Sequence, residues 1–504
     1  MALWLVDHQM NTRISEEFGN YFARIPLTST PHIHFGPKRG NALRIDWNDV
    51  LPAERCSYVL GNPPFVGAKL MDDAQRADAG TVFAGIENSG LLDFVAGWYV
   101  KAASYIRATT IRCAFVSTNS LTQGEQVGVL WSWLIGQGIR IHFAHRTFRW
   151  SNEARGLAAV HCVIVGFGAF DVQRKVIFEY DDIRGEPHAV SATNINPYLV
   201  DAPDVVLPRR SRPICDVPEI GIGNKPIDDG NYLFTNDEMI AFVRSEPNAS
   251  KWFRRWLGAD EFLNGNVRWY LWLGACPPAE LRRMPEVIKR VEAVTRFRRA
   301  SRSAPTRKLA DTPTRFHVEN IPTAAYVIIP RHSSESRHFV PIGFVEPNYL
   351  AGDANLVMVN VKLLHLGVLC STMHNAWVRY TCGRLKSDFR YSASIVYNNF
   401  PWAENPSDAQ KQKIEAAAQA VLDARAAHPD ASLADLYDPL TMPPNLVKAH
   451  QVLDAAVDAA YGRKGFRNDA ERVAFLFELY RKYTSLLPTA ASGKKGRKPA
   501  ARGT

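Results

Sequence analysis

The chain has 504 residues, room for about three domains at roughly 150 residues each. Its 46% hydrophobic content excludes a wholly disordered polypeptide, and 60 Lys and Arg against 50 Asp and Glu leave a net charge of +10 that favours a polyanionic partner. No apolar run reaches the roughly 18 residues of a membrane helix, and no basic-then-apolar opening suggests a signal peptide. Neither a membrane partner nor secretion is expected. Seven cysteines without a CxxC pair read as reduced thiols of a cytoplasmic protein.

In chain order, Ala2–Met10 is apolar and helix-like with no cap before it, so the chain is expected to begin inside an element. Tyr58–Gly61 is a short strand ending in Gly-Asn-Pro-Pro. Leu91–Ile106 places Leu92, Val95, Ala96, Tyr99, Val100 and Ala103 at helical spacing. Arg112–Ser117 is a strand closed by polar Thr118-Asn119-Ser120. Val129–Gly136 reads as a helix, Ile139–Ala144 as a strand and Ala158–Phe167 as a longer one. This alternation predicts an α/β domain with a mostly parallel sheet and helices on its faces.

From about residue 175 to 402 the pattern breaks into short strands, Pro and Gly turns, and basic segments. Arg282–Arg315 carries eleven Lys or Arg and three acids, with Phe297 and Phe316 interleaved. From Asp408 the chain is helical to about Leu487, with a break at Pro439–Leu446. Ser492–Thr504 is basic low-complexity sequence and is expected to be disordered. Four regions are therefore expected: a catalytic domain over 1–172, a mixed α+β recognition region over 173–403, a helical region over 404–488 and a disordered basic tail over 489–504.

Asn62-Pro63-Pro64-Phe65 carries the chemistry. It follows a strand, and in a parallel α/β sheet such turns face the crevice where ligands bind. Two prolines fix the backbone, so the carbonyls before them point in one direction. An amide oxygen and a fixed carbonyl can together accept both hydrogens of an exocyclic amine. Phe65 can stack on the ring that bears this amine. The same four residues also suit a plain β-turn.

The surrounding residues resemble the amino-methylating, S-adenosylmethionine-dependent DNA methyltransferases with a D/N-P-P-Y/F motif, and most of all their Mme-type branch of single-chain type II restriction–modification enzymes. The resemblance rests on Ala2–Asn11, Gly40–Trp47, Gly61–Gly67, Asp93–Tyr99, Phe148-Arg149-Trp150, Asn375–Arg379, Ser387–Ser392, Leu436–Pro439 and Leu476–Tyr480, in the family's order and across nearly the whole chain. It implies a Rossmann-like methyltransferase domain, then a target-recognition domain and C-terminal helices. It implies transfer of a methyl group to adenine N6 in double-stranded DNA, with S-adenosyl-L-methionine as cofactor. In that family Asn62 and the Pro63 backbone would hold the amine, within the Asn62–Pro63–Pro64–Phe65 turn. Phe65 would stack on the flipped base, and Phe148 and Trp150 would stand on its other side. Asn41 and Asp46 would meet the cofactor, although both also suit a turn and a helix start.

The family's glycine-rich cofactor loop, of the form D-P-x-x-G-x-G, and the acidic end of its second strand would precede residue 1. Gly221-Ile222-Gly223 is no substitute, because no helix pattern follows it. The family's sheet runs three-two-one-four-five-seven-six, so the chain is expected to lack the two strands between the third and the fourth. A polypeptide carrying that segment is the expected second partner. The branch's nuclease is expected to be absent, since Glu-x-Lys occurs nowhere in the chain. His32 and His34 lie in a proline-rich loop without further ligands, so no metal is expected.

Arg282, Arg283, Arg296, Arg298 and Arg299 suit phosphate tracking by counterion release. Arg331 and Arg337 flank a polar, turn-rich stretch able to reach base edges. A DNA-binding remnant without catalysis is the competing reading. RNA or protein-glutamine methylation is disfavoured by the large recognition region.

Overall fold

The computed structural model describes residues 40–150, 160–385 and 387–485. The Ala2–Met10 segment, His32, His34, the basic tail and the side chain of Trp150 lie outside these described residues. The chain divides into two units, Met1–Cys56 and Ser57–Thr504. In the first, a one-turn helix over Trp47–Val50 starts at Asp46, whose carboxylate accepts the Asn48 amide at 2.9 Å.

The second unit opens with β1 (Tyr58–Gly61), α1 (Asp73–Val82), α2 (Ala96–Tyr105), β2 (Arg112–Thr118), α3 (Glu125–Gly136), β3 (Arg140–Trp150), β4 (Val160–Gly168), β5 (Lys175–Glu179) and β6 (His188–Ala192). These six strands form one sheet in the order β1-β2-β4-β3-β5-β6. Its first four positions reproduce the four-five-seven-six order of the resemblance. β1 and β2 are parallel, as are β3 and β5, whereas β4 pairs antiparallel with both β2 and β3, and β6 antiparallel with β5. Three of these five pairings are antiparallel, so the sheet is mixed rather than mostly parallel. The cause is β4, which turns back from β3 and inserts between β3 and β2. The catalytic sheet also continues through β5 and β6, past residue 172.

One sheet face is packed by helices. Tyr99 from α2 stacks on Phe167 at 5.3 Å and meets Phe115 edge-on at 5.3 Å, with Trp131 of α3 at 6.3 Å. β3 is longer than its sequence pattern because register shifts between Ile141 and Phe143, and between His145 and Phe148, break the two-residue alternation. α2 starts at Ala96, not near Leu91, because Asp93 spends its groups on tertiary partners (below).

The recognition region holds two four-stranded sheets. The first joins β8 (Leu233–Thr235), β9 (Phe253–Leu257) and β10 (Arg268–Leu271) to β14 (Tyr349–Ala351). It packs Tyr232, Phe234, Phe253, Trp256, Tyr270 and Phe316 against Val287 and Val294 of α5 (Pro285–Arg299), with α4 (Asn236–Ser245) alongside. The second sheet joins β7 (Ile220–Ile222), β11 (Tyr326–Pro330), β13 (Gly343–Val345) and β15 (Asn355–Met358). Gly221-Ile222 is thus a paired strand, not a cofactor loop. A small third sheet contains β12 (His332–Ser333), β16 (Gly383–Leu385) and β17 (Asp388–Arg390).

The helices α6 (Leu363–Cys370) and α7 (Thr372–Thr381) belong by sequence to the recognition region but share a core with α8 (Asp408–Ala426), α9 (Pro444–Ala460) and α10 (Asp469–Ser485). Trp377 of α7 meets Phe477 at 5.3 Å and Tyr480 at 6.5 Å. Arg425 of α8 donates to the Ile342 carbonyl at 2.7 Å. The two regions therefore do not keep fully separate cores. No helix among the described residues is long and apolar enough to cross a membrane.

Candidate active site and nucleic-acid interface

Four strands meet at one rim of the sheet. β1 exits into Asn62, β2 into Asn119, and β3 and β4 meet there through the Trp150–Val160 pair, since Gly61 lies opposite Phe115 and Thr118 opposite Cys162. Gly61 packs closely on β2: a Cβ there would sit 3.2 Å from the Phe115 ring, which would have to give way by a few tenths of an ångström. That close approach seats the following turn directly against β2. Pro63 is buried and anchors the turn, while Asn62 and Pro64 are exposed and Phe65 is half-buried. Among the described residues the Asn62 amide has no hydrogen-bond partner and the Phe65 ring no aromatic one. Both are open to a ligand.

The far side of the turn is clamped by Asp93. Its Oδ1 accepts the Ala68 amide at 2.9 Å and its Oδ2 the Ser120 hydroxyl at 2.6 Å. The Asp93 amide donates to Gln126 Oε1 at 2.9 Å, and the Phe94 amide to the Val66 carbonyl at 2.9 Å. Ser120 also bonds Thr118 Oγ1 at 2.8 Å. One carboxylate thus ties the Asn-Pro-Pro-Phe segment to the turn after β2. Asp93 opens the Asp93–Tyr99 stretch of the resemblance, but nothing in that stretch points to this clamp. Its partners are 25 and 27 residues away, so no local spacing announces them.

Phe148 stacks on Tyr180 at 5.4 Å and lies edge-on to His145 at 6.3 Å, inside an aromatic group that also holds Phe178. Burial lowers the pKa of His145, which favours the neutral ring, and its Nδ1 shares a 2.8 Å hydrogen bond with the Tyr180 hydroxyl. One face of Phe148 is therefore already used within the protein. Asn41 Oδ1 accepts the Leu43 amide at 2.9 Å, a local turn, and Asp46 is the helix cap described above. Asp46 remains exposed, with Oδ2 outside its cap bonds. A carboxylate oxygen so placed fits an amine or ribose hydroxyl donor of a cofactor. Among the described residues no glycine-rich turn joins a strand to a helix in the family's pattern.

The arginines sort by burial. Arg282, Arg283 and Arg299 are exposed and have no side-chain partner among the described residues, and exposed Arg296 lies 4.0 Å from Glu292. Arg298 is fully buried, and its guanidinium donates to the carbonyls of Pro226, Ile227, Leu309, Thr312 and Arg315 at 2.8–3.0 Å. All five of its donors are consumed, so the expected phosphate role of Arg298 is corrected to an internal one. The α5 periodicity turns it inward, onto the same side as Val287 and Val294. Arg331 is half-buried and donates to the Asp353 carbonyl at 3.1 Å. Arg337 is half-buried, with Asp388 and Asp438 opposing the lowering of its pKa by burial.

Comparison with known proteins agrees with this layout. Three domain models match consecutive stretches: "MmeI, DNA-methyltransferase domain" over residues 1–179, "MmeI, target recognition domain" over 201–404 and "MmeI, C-terminal domain" over 406–488. DNA methyltransferase A of Bacillus subtilis (strain 168) is 36% identical over 487 residues, which are 96% of this chain and 54% of that protein. The solved structure of the Type IIL restriction–modification enzyme MmeI in complex with DNA is 54% identical, with a TM-score of 0.81, covering 96% of this chain and 64% of that one. The chain thus spans 54% and 64% of the length of these two relatives, less than two thirds of either.

Proposed function

The chain belongs to the MmeI family, and from that membership we propose that it is a site-specific adenine-N6 DNA methyltransferase of a restriction–modification system. The observation that carries the reading is the exposed Asn62 amide on a turn seated by buried Pro63 and clamped by Asp93, within the stretch matched as a DNA-methyltransferase domain. Duplex DNA as the partner is supported by the MmeI–DNA complex. No observation supports a second polypeptide.

S-adenosyl-L-methionine, when bound, supplies the electrophilic methyl group. Asn62 Oδ1 and the Pro63 carbonyl would accept the two hydrogens of the adenine amine and hold its lone pair toward the methyl. No strong base is needed, because the acceptors raise electron density on nitrogen. Phe65 would stack on the extruded base and offset part of its unstacking cost, a few kcal/mol. Asp46 would hold the cofactor through its open oxygen. Exposed Arg282, Arg283, Arg296 and Arg299 would track phosphates, while Arg331 and Arg337 would lie nearer the bases. A cytoplasmic location goes with such a substrate.

The test is transfer of labelled methyl from S-adenosyl-L-methionine to genomic DNA by the 504-residue chain, with digestion to nucleosides. N6-methyladenine is the expected product. Another methylated nucleoside overturns the adenine reading, and DNA binding without incorporation, by the chain alone and with the glycine-rich cofactor segment supplied, favours a binding protein.

A further inference from the structure

Arg384 sits on β16 with its side chain 12% exposed. Its Nε donates to Gln123 Oε1 at 3.2 Å, and its Nη1 to the Ser387 carbonyl at 2.8 Å and to Glu335 Oε2 at 3.5 Å. The guanidinium also covers the Phe389 ring at 4.0 Å. The other Glu335 oxygen lies 3.5 Å from His161 Nε2. Burial keeps His161 below the usual histidine range, so this contact carries little ion-pair character.

These partners come from separate parts of the molecule. Glu335 belongs to the Arg331–Arg337 stretch of the recognition region. His161 is near the start of β4 and Gln123 lies in the turn after β2, both on the rim that carries Asn62. Gln123 is three residues from Ser120, which bonds Asp93, which in turn bonds Ala68 beyond the Asn-Pro-Pro-Phe turn. The backbones also touch: the Gly124 amide donates to the Thr381 carbonyl at 3.0 Å. A Cβ on Gly124, whose φ is 65°, would lie 2.8 Å from Gly383 Cα. Gly124 therefore admits no side chain without separating β16 from the catalytic rim.

We infer that Arg384 is a positioning residue that couples target recognition to methyl transfer: it fastens the Glu335 segment to the turn after β2 and, through Ser120 and Asp93, sets the segment that bears Asn62. The inference rests on the active-site reading proposed above. A planar fork suits this task, because one rigid group meets a carboxylate, an amide and a carbonyl at fixed angles. Lysine supplies the charge without the fork.

The test compares wild type, Arg384→Ala, Arg384→Lys, Glu335→Gln and Asn62→Ala in the full chain. Amide hydrogen exchange is read by mass spectrometry, and methyl transfer by kcat and KM for genomic DNA. Arg384→Ala is expected to speed exchange at least about threefold over residues 62–70 and 119–124, with β2, β4 and α8–α10 unchanged. Its kcat should fall about tenfold with the KM for DNA held within about twofold, as misplacement of a reacting group predicts. Arg384→Lys should recover part of both, and Glu335→Gln should show the same pattern more weakly. Unchanged exchange over 62–70 in the alanine variant overturns the inference. So does loosening of the whole sheet without the selective pattern in Glu335→Gln. Full activity of Asn62→Ala would instead overturn the active-site reading, and the exchange result would still decide the role of Arg384.

Discussion

Asp93 and Ala68, 25 residues apart, are joined by a 2.9 Å hydrogen bond from the Ala68 amide to the Asp93 carboxylate. The bond fixes the exit of the turn whose entry is fixed by the contact of Gly61 with Phe115. Asn62 and Phe65 stand between two anchored ends with their own groups unspent. A side chain presented in this way needs little reorganisation to meet a base, which is the requirement for electrostatic preorganisation.

Asn62→Ala should abolish methyl transfer while DNA affinity stays within about threefold, because an exposed amide contributes little to the fold. Methyl incorporation and electrophoretic mobility shift measured on the same preparation check this. Activity within about threefold of wild type would remove Asn62 from the mechanism.

Phe65→Ala bears on base extrusion. Wild type should bind more tightly to duplexes in which the partner of the target adenine is abasic, since unstacking then costs less. The advantage should shrink in the alanine variant, which loses about 1–3 kcal/mol of stacking. Competition binding with a library carrying one abasic site per duplex measures both, and equal affinity for intact and abasic DNA sinks the idea.

Arg298 and Arg299 are adjacent yet should behave in opposite ways. Arg298→Ala strands five buried carbonyls and should destabilise the recognition region by about 3–5 kcal/mol. Arg299→Ala should change stability by less than about 0.5 kcal/mol and reduce the salt dependence of DNA binding by about one phosphate contact. Urea unfolding and binding across a salt series would separate them, and a stable Arg298→Ala protein with weakened DNA binding would restore its phosphate role.

Asp454 gives a pH dependence of known sign. Thr372 donates both its amide and its hydroxyl to this carboxylate at 2.6 Å, yet burial still raises its pKa from 3.8 to about 6. The folded state thus holds the proton more tightly than the unfolded one. The stability this group contributes is complete below about pH 3.8 and is lost as pH rises through about 6. Asp454→Asn should therefore gain on the order of 2 kcal/mol relative to wild type between about pH 4 and pH 8. Urea unfolding at both ends of that range tests this, and a difference between the two proteins that does not vary with pH would refute it.

The sequence alone determined what is written in contiguous residues. β1, the Asn-Pro-Pro-Phe turn, β2 and β4 were legible because a short apolar run and two prolines constrain the backbone locally. Residues grouped in family order named the domains. Tertiary structure decided what depends on partners far apart in the chain. The reversal of β4 between β2 and β3 follows from strand pairing that composition does not encode. Arg298 looked like its exposed neighbours in a basic run, and only the orientation of α5 sent it inward to five carbonyls. Asp93, Ser120, Gln123, Glu335 and Arg384 carry no local pattern at all. The hydrogen bonds that join them to one another span 27 to 261 residues, and a side chain's partner at that separation is fixed by the packing of sheets and helices, not by the residues beside it.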